Sequence, residues 1–188
     1  MKNKFKLTTG TKSLLFGVHQ FILHPFTVWL AWISLYRKVP TFRETVCITV
    51  HDWGYWGKEK MNDEQGILHP ELGGRIAGKL FGSDYSNLCL LHSRHYANIM
   101  RKEPSPLCWA DKSCMIFDPW WLYLPRAWAS GELTEYREEM ANNGSIPMSV
   151  SHREWYRKVL AHLRGSIGVN KLSGVTSCNT AMKNIKAV

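Results

Sequence analysis

Seven residues in the body of this chain have side chains suited to holding divalent metal ions, and they come in a definite order. They are His24, the adjacent pair His51-Asp52, His69, His92 with His95, and Asp111. Imidazole and carboxylate suit borderline-hard ions such as Mn, Fe, Co, Ni or Zn, and one carboxylate can bridge two ions through its two oxygens. Two ions about 3.5–4 Å apart activate a water and stabilise the attacking and leaving oxygens together in phosphoester hydrolysis. An adjacent His-Asp pair can therefore supply a ligand to one ion and a bridge to both.

The residues around these side chains read as helices. Pro25 sits where a helix would begin, and Phe26, Val28, Trp29, Leu30, Trp32, Ile33, Leu35 and Tyr36 make it strongly apolar before Pro40 ends it. "TFRE", Thr41 to Glu44, is a capping box opening a short helix that delivers His51-Asp52 at its end. "GYWGKEKMNDEQG" reads as a loop, and "HPELGGRIAGKL" places Pro70 at a first helical position just after His69. "SDYSNLCLLHSRHYANIM" puts Leu88, Leu91, His92 and His95 at helical spacing behind a Ser83 or Asp84 cap. "SPLCWADKSCMIF" predicts a helix carrying Asp111, and "DPWWLYLPRAW" another with Asp118 as its cap. "GELTEYREEM" reads as an acidic amphipathic helix, and Ser151 to Glu154 as a second capping box.

The fold class expected is all-α, with no repeat and no hairpin signal. Side chains from several helices of such a bundle can converge on one metal site. A length of 188 residues suits one domain, expected over 1–166, with 167–188 a basic, mobile tail. The aromatic residues Trp109, Trp120, Trp121 and Tyr123 are expected in the core, Cys108 and Cys114 as small packed groups, and His152 and His162 as structural or exposed.

The formal net charge is +9, but residues 1–12 contribute +4 and residues 152–188 contribute +6, leaving −1 for the body. A basic groove for nucleic acid is thus not expected there, and the basic ends read as solvated. Five cysteines without a C-x-x-C pair fit reduced thiols and a cytoplasmic protein. Within Leu14–Tyr36, His19, Gln20, His24 and Pro25 interrupt any apolar run long enough for a membrane span, and Leu14–Val18 is too short for the core of a signal peptide.

Taken in order, these segments resemble the HD superfamily of metal-dependent phosphohydrolases. "LHPFTV" resembles its first-histidine helix, "TVHDWG" its signature His-Asp, and "HPELGGRIA" the H-P-E-[IL]-G segment of its two-metal members; "LLHSRH" resembles the next histidine helix and "WADK" the final aspartate. The resemblance spans Phe21 to Phe117, roughly half the chain. It implies a first metal held by His24, His51, Asp52 and Asp111, and a second by Asp52, His69 and His92. His51, Asp52 and His95 are the implied catalytic groups, with His95 a further ligand or a substrate contact. His19 competes with His24 for the first position; His24 is preferred because Val28 follows it and Pro25 starts the helix behind it. Lys58, Arg75, Arg94 and Lys112 are candidates to neutralise phosphate oxygens, against the competing reading of a solvated face. Tyr55 stands where the cyclic-dinucleotide phosphodiesterases of the superfamily keep lysine, and their G-Y-P segment is absent.

The function expected from this resemblance is hydrolysis of a small phosphorylated substrate, a nucleotide foremost, with one or two divalent ions as cofactor. A homo-oligomer is compatible with it. The same ligand order also resembles the diiron oxygenases of the superfamily, which act on polyols and phosphonates. A degenerate scaffold binding an acidic partner is a third reading, and it requires broken ligands.

Overall fold

The computed structural model describes residues 7–172, with side chains to 165. Among the described residues there is no strand, and the chain is all-α as expected. Ten helices follow in order: α1 (Thr9–Phe16), α2 (Leu23–Tyr36), α3 (Phe42–Val50), α4 (Pro70–Phe81), α5 (Ser83–Leu90), α6 (Arg94–Ile99), α7 (Pro106–Ser113), α8 (Trp120–Ser130), α9 (Glu132–Asn142) and α10 (His152–Leu172). Short 3-10 turns cover Trp53–Tyr55, Gly66–Leu68 and Cys114–Phe117. None of these helices is long and apolar enough to cross a membrane.

Helix α3 is the central positioning element. Its capping box forms as the sequence predicts: Thr41 Oγ1 accepts from Glu44 N, and Glu44 Oε2 accepts from Thr41 N at 2.7 Å. Ile48 faces one apolar cluster with Val28, Ala31 and Trp32 of α2 and Leu107 and Ala110 of α7. Cys47 and Val50 face another, with Ala77 of α4 and Cys89 of α5. A helix buried on both sides has little freedom to rotate, so the position of its last turn, and of His51-Asp52 beyond it, is set by packing. A third cluster joins α8, α9 and α10 around Tyr123, Ala127, Leu133, Tyr136, Trp155, Tyr156 and Val159.

Two glycines let the segments that carry His51, Asp52 and His69 approach. A Cβ on Gly73 of α4 would stand 2.7 Å from Val50 O and 2.8 Å from His51 Cα, and one on Gly54 only 2.0 Å from His69 O. Gly73→Ala must therefore push α4 away from the end of α3. It is expected to destabilise the metal-free protein by about 1–3 kcal/mol, despite a helix-propensity gain of roughly 1 kcal/mol, as read by urea unfolding.

Several local expectations are corrected. The stretch from Ser83 to Met100 is not one helix; it breaks at Leu91–Ser93, where Ser93 takes an extended conformation and opens α6. Asp118 does not cap α8, whose N-cap is Pro119; it is buried against Arg126 instead. Trp121 is 62% exposed and Trp120 41%, so of the expected aromatic core Tyr123 alone is fully buried. Cys108 and Cys114 are buried, and His152 and His162 are exposed, all as expected. Helix α10 continues through Gly165 to Leu172, past the expected start of the tail; residues 1–6 and 173–188 lie outside the described residues, and with them Lys2, Lys4, Lys6, Lys183 and Lys186 of the basic ends.

Candidate metal centre

Six of the seven donors meet at one place. His24 comes from the first turn of α2, His51-Asp52 from the end of α3, and Asp111 from α7. His69 sits between the Gly66–Leu68 turn and α4, and His92 in the break between α5 and α6. That break, hidden from helical periodicity, turns His92 inward rather than along a helix face.

The donors form two groups that share Asp52. In the first, His24 Nε2 lies 3.0 Å from Asp52 Oδ2, 3.2 Å from Asp111 Oδ1 and 3.3 Å from His51 Nε2. His51 Nε2 lies 3.2 Å from Asp52 Oδ2 and 3.6 Å from Asp111 Oδ1. In the second, Asp52 Oδ1 lies 3.5 Å from His69 Nε2 and 3.3 Å from His92 Nε2, and those two nitrogens are 3.0 Å apart. Ligands about 2.1 Å from a common ion stand roughly 3.0–3.4 Å from one another, and these donor pairs, 3.0–3.6 Å apart, lie close to that spacing.

Hydrogen bonding explains why these nitrogens point inward. Nδ1 of His51, His69 and His92 each meets the carbonyl three residues earlier, on Ile48, Gly66 and Cys89. A carbonyl only accepts, so Nδ1 carries a proton and Nε2 is the nitrogen turned toward Asp52, whose lone pair an ion would take. Two such lone pairs facing each other at 3.0 Å repel unless a cation or a proton lies between them. Asp52 Oδ2 is buried and makes no hydrogen bond, although it is surrounded by imidazole nitrogens. Facing lone pairs and an orphaned carboxylate oxygen fit a divalent ion better than a hydrogen-bonded polar core.

Without metal, protons carry part of that role. Burial opposes charging His51, but the Asp52 and Asp111 carboxylates outweigh it and raise its pKa to about 9. His24 is raised in the same way against burial, with Cys114, Asp111 and Asp52 as its partners. Burial pushes Asp52 and Asp111 up, and the histidines around them hold both well below the usual carboxylate range. Burial, with His92 next to it, lowers His69 to about 3. The histidines of the first group are thus pushed toward the protonated form and His69 toward the neutral one.

Above the shared carboxylate opens a cavity of about 240 Å³, lined in part by Asp52, His69, His92 and Asp111. His95, Arg94 and Lys112 also line it; all three are half-buried, and His95 belongs to neither donor group. Burial lowers the pKa of Arg94, and burial with the neighbouring Arg94 charge lowers that of Lys112. Lys58 and Arg75 are not among the lining residues. Arg75 is exposed two residues after Gly73, which faces α3, so helical geometry carries it away from the site. Lys58 lies by α1, where its carbonyl accepts from Gly10 N.

His24 and His19 take different places. His24 stands in the first donor group, whereas His19 Nδ1 lies 2.7 Å from Glu132 Oε1. Glu132 was hidden in the sequence as the first residue of an acidic helix, yet it is completely buried. Its only local hint is the apolar and small company of Gly131 and Leu133. Tyr55 stacks on His69 with ring centroids 3.9 Å apart and planes 14° from parallel, fixing that imidazole from the side.

No protein-family model, no curated protein and no solved structure matches this chain. What this chain does must therefore be read from its own donors: a helical protein with a buried His/Asp cluster able to hold metal.

Proposed function

We propose that this protein is a metal-dependent phosphohydrolase of the HD type, acting on a small phosphorylated substrate, a nucleotide foremost. The observation that carries this reading is Asp52, whose two oxygens each face a separate set of imidazoles 3.0–3.5 Å away. A bridging carboxylate between two nitrogen-rich groups suits a dinuclear centre of Mn, Fe, Co, Ni or Zn. When bound, such ions supply a water that ionises near neutral pH and a Lewis-acid contact for a phosphoryl oxygen.

The chain's own residues do the rest. Arg94 and Lys112 give the cavity a cationic wall suited to phosphoryl oxygens, and partial burial strengthens that attraction. His95, on the same wall, is placed to contact the substrate rather than the metals. The depth of the donors, with His51 fully buried and His24 and His92 each 3% exposed, favours a small molecule over a polymer.

The test is a screen of protein stripped of metal and reloaded with each of Mn, Fe, Co, Ni and Zn. Phosphomonoesters, phosphodiesters and nucleotides are offered, and hydrolysis dependent on added metal is the expected result. Two irons in protein purified without added metal, with O₂ consumption and no phosphate release, would establish the oxygenase chemistry instead. Failure to retain any metal would leave the scaffold reading.

A further inference from the structure

Glu132 is a fully buried carboxylate that receives five donors. Oε1 lies 2.7 Å from Ser13 Oγ, 2.7 Å from His19 Nδ1 and 3.2 Å from Tyr136 OH; Oε2 lies 2.9 Å from Val18 N and 2.5 Å from Ser130 Oγ. Burial would raise its pKa, but the bonds from His19, Ser130 and Val18 hold it below the usual carboxylate value, so Glu132 is an acceptor at both oxygens. The His19 ring must then donate through Nδ1, which leaves Nε2 as the nitrogen turned away from Glu132.

That nitrogen faces the metal centre. His19 Nε2 lies 3.8 Å from Asp52 Oδ2, too far for a direct hydrogen bond, and the ring lines the cavity with 14% of its side chain exposed. Its neighbours are His24 and Tyr55, with ring centroids 4.9 and 5.1 Å away. A buried carboxylate that orients an imidazole, which in turn presents an acceptor beside the place of reaction, is the arrangement by which enzymes position a hydroxyl or water. The metal groups already have their own donors, and His19 is in neither.

We propose that His19 is a further catalytic residue: as the oxygen of water bonds to phosphorus beside Asp52 and the bond from phosphorus to the leaving oxygen breaks, Nε2 takes the water's proton and the leaving oxygen departs with the bonding electron pair, with Glu132 as the positioning residue; this rests on the phosphohydrolase reading. Ser13, Ser130 and Tyr136 serve the same end by keeping Glu132 an acceptor. Hydroxyls can turn to accept as well as donate, so Glu132→Gln can be accommodated, but its amide N–H would face His19 Nδ1 and reverse the tautomer.

Two measurements decide it. Long-range ¹H–¹⁵N NMR of histidine-labelled, metal-free protein at mildly alkaline pH reads the tautomer. Nδ1–H on His19 in the wild type and Nε2–H in Glu132→Gln are expected; Nε2–H in the wild type overturns the proposal. Kinetics of metal-reloaded His19→Ala on p-nitrophenyl phosphate should then show kcat reduced roughly 100-fold, with KM and metal content unchanged. Wild-type kcat in that variant, or loss of metal from it, overturns the proposal and leaves the hydrolase reading standing. Absence of hydrolysis in the wild type with every metal and phosphoester removes the hydrolase reading and this role together. Should Glu132→Gln not fold, the wild-type tautomer and the His19→Ala kinetics suffice.

Discussion

Asp52→Ala is expected to empty both halves of the metal centre at once and to abolish turnover. It is the one residue common to the two donor groups. Its Oδ2 approaches His24 and His51 at 3.0 and 3.2 Å, and its Oδ1 approaches His92 and His69 at 3.3 and 3.5 Å. Removing it takes away the anionic donor that neutralises each ion as well as the bridge between them, leaving the second group with two neutral imidazoles. Loss of a residue that merely supports a ligand costs about 10–100-fold in metal affinity, so loss of the shared ligand should exceed that range. The helices should persist, because α3 is held by Ile48, Cys47 and Val50 in two apolar clusters and not by the carboxylate. Metal analysis after gel filtration and far-UV circular dichroism read the two halves of this expectation. His69→Ala is the matched control: it leaves the four donors of the first group in place and should retain one equivalent of metal where Asp52→Ala retains none. Two equivalents bound to Asp52→Ala, or phosphatase activity preserved in it, would refute the assignment.

Metal loading should stabilise the fold, and by an amount that grows with pH. His51 has a folded pKa raised to about 9, so its stabilising charge is complete below the ordinary value near 6.5 and is lost as pH rises to about 9. His69 is lowered to about 3, so below about 6.5 the unfolded chain binds a proton that the folded chain refuses, and stability falls with pH. Asp52 and Asp111 are held low, and their contribution is present above the usual carboxylate range and lost as pH falls through their folded values. The metal-free protein should therefore be most stable near pH 6.5 and lose stability on both sides. An ion must displace the protons on His51 and His24, so affinity should rise up to tenfold per pH unit for each proton released, between about pH 6.5 and 9. At a hundredfold excess over Kd the gain is about 2.7 kcal/mol, or a Tm rise of roughly 5–11 °C for a chain of this size. Thermal melts at several pH values, with calorimetry in two buffers of different ionisation enthalpy to count protons, measure both. An affinity flat across that range would show that the first group is not proton-loaded.

Much of this was legible in the chain itself. Thr41 and Glu44 announce the start of α3 because a capping box needs only residues three apart, and Pro70 marks α4 because a proline at the first helical turn loses no hydrogen bond. The order of His24, His51-Asp52, His69, His92 and Asp111 singled out the six donors, and each lies where a helix begins, ends or turns. Local chemistry sufficed for these, since the signals sit within a turn of the residues they place.

What the tertiary structure alone decided lies farther apart along the chain. Glu132 stands at the head of a helix that reads only as acidic and amphipathic, and packing alone sets it against His19, 113 residues away. Arg75 and Lys58 are as basic as Arg94 and Lys112, yet rotation about α4 and the path beside α1 take the first two from the cavity while α6 and α7 bring the others in. The sequence by itself determined which side chains can bind metal and which helices carry them, because capping, proline geometry and ligand chemistry act over a few bonds. Which of those side chains stand close enough to share an ion, and which buried carboxylate meets a histidine beside them, was decided by the packing of α2, α3, α7 and α9, since contacts between distant segments form only when the apolar faces close.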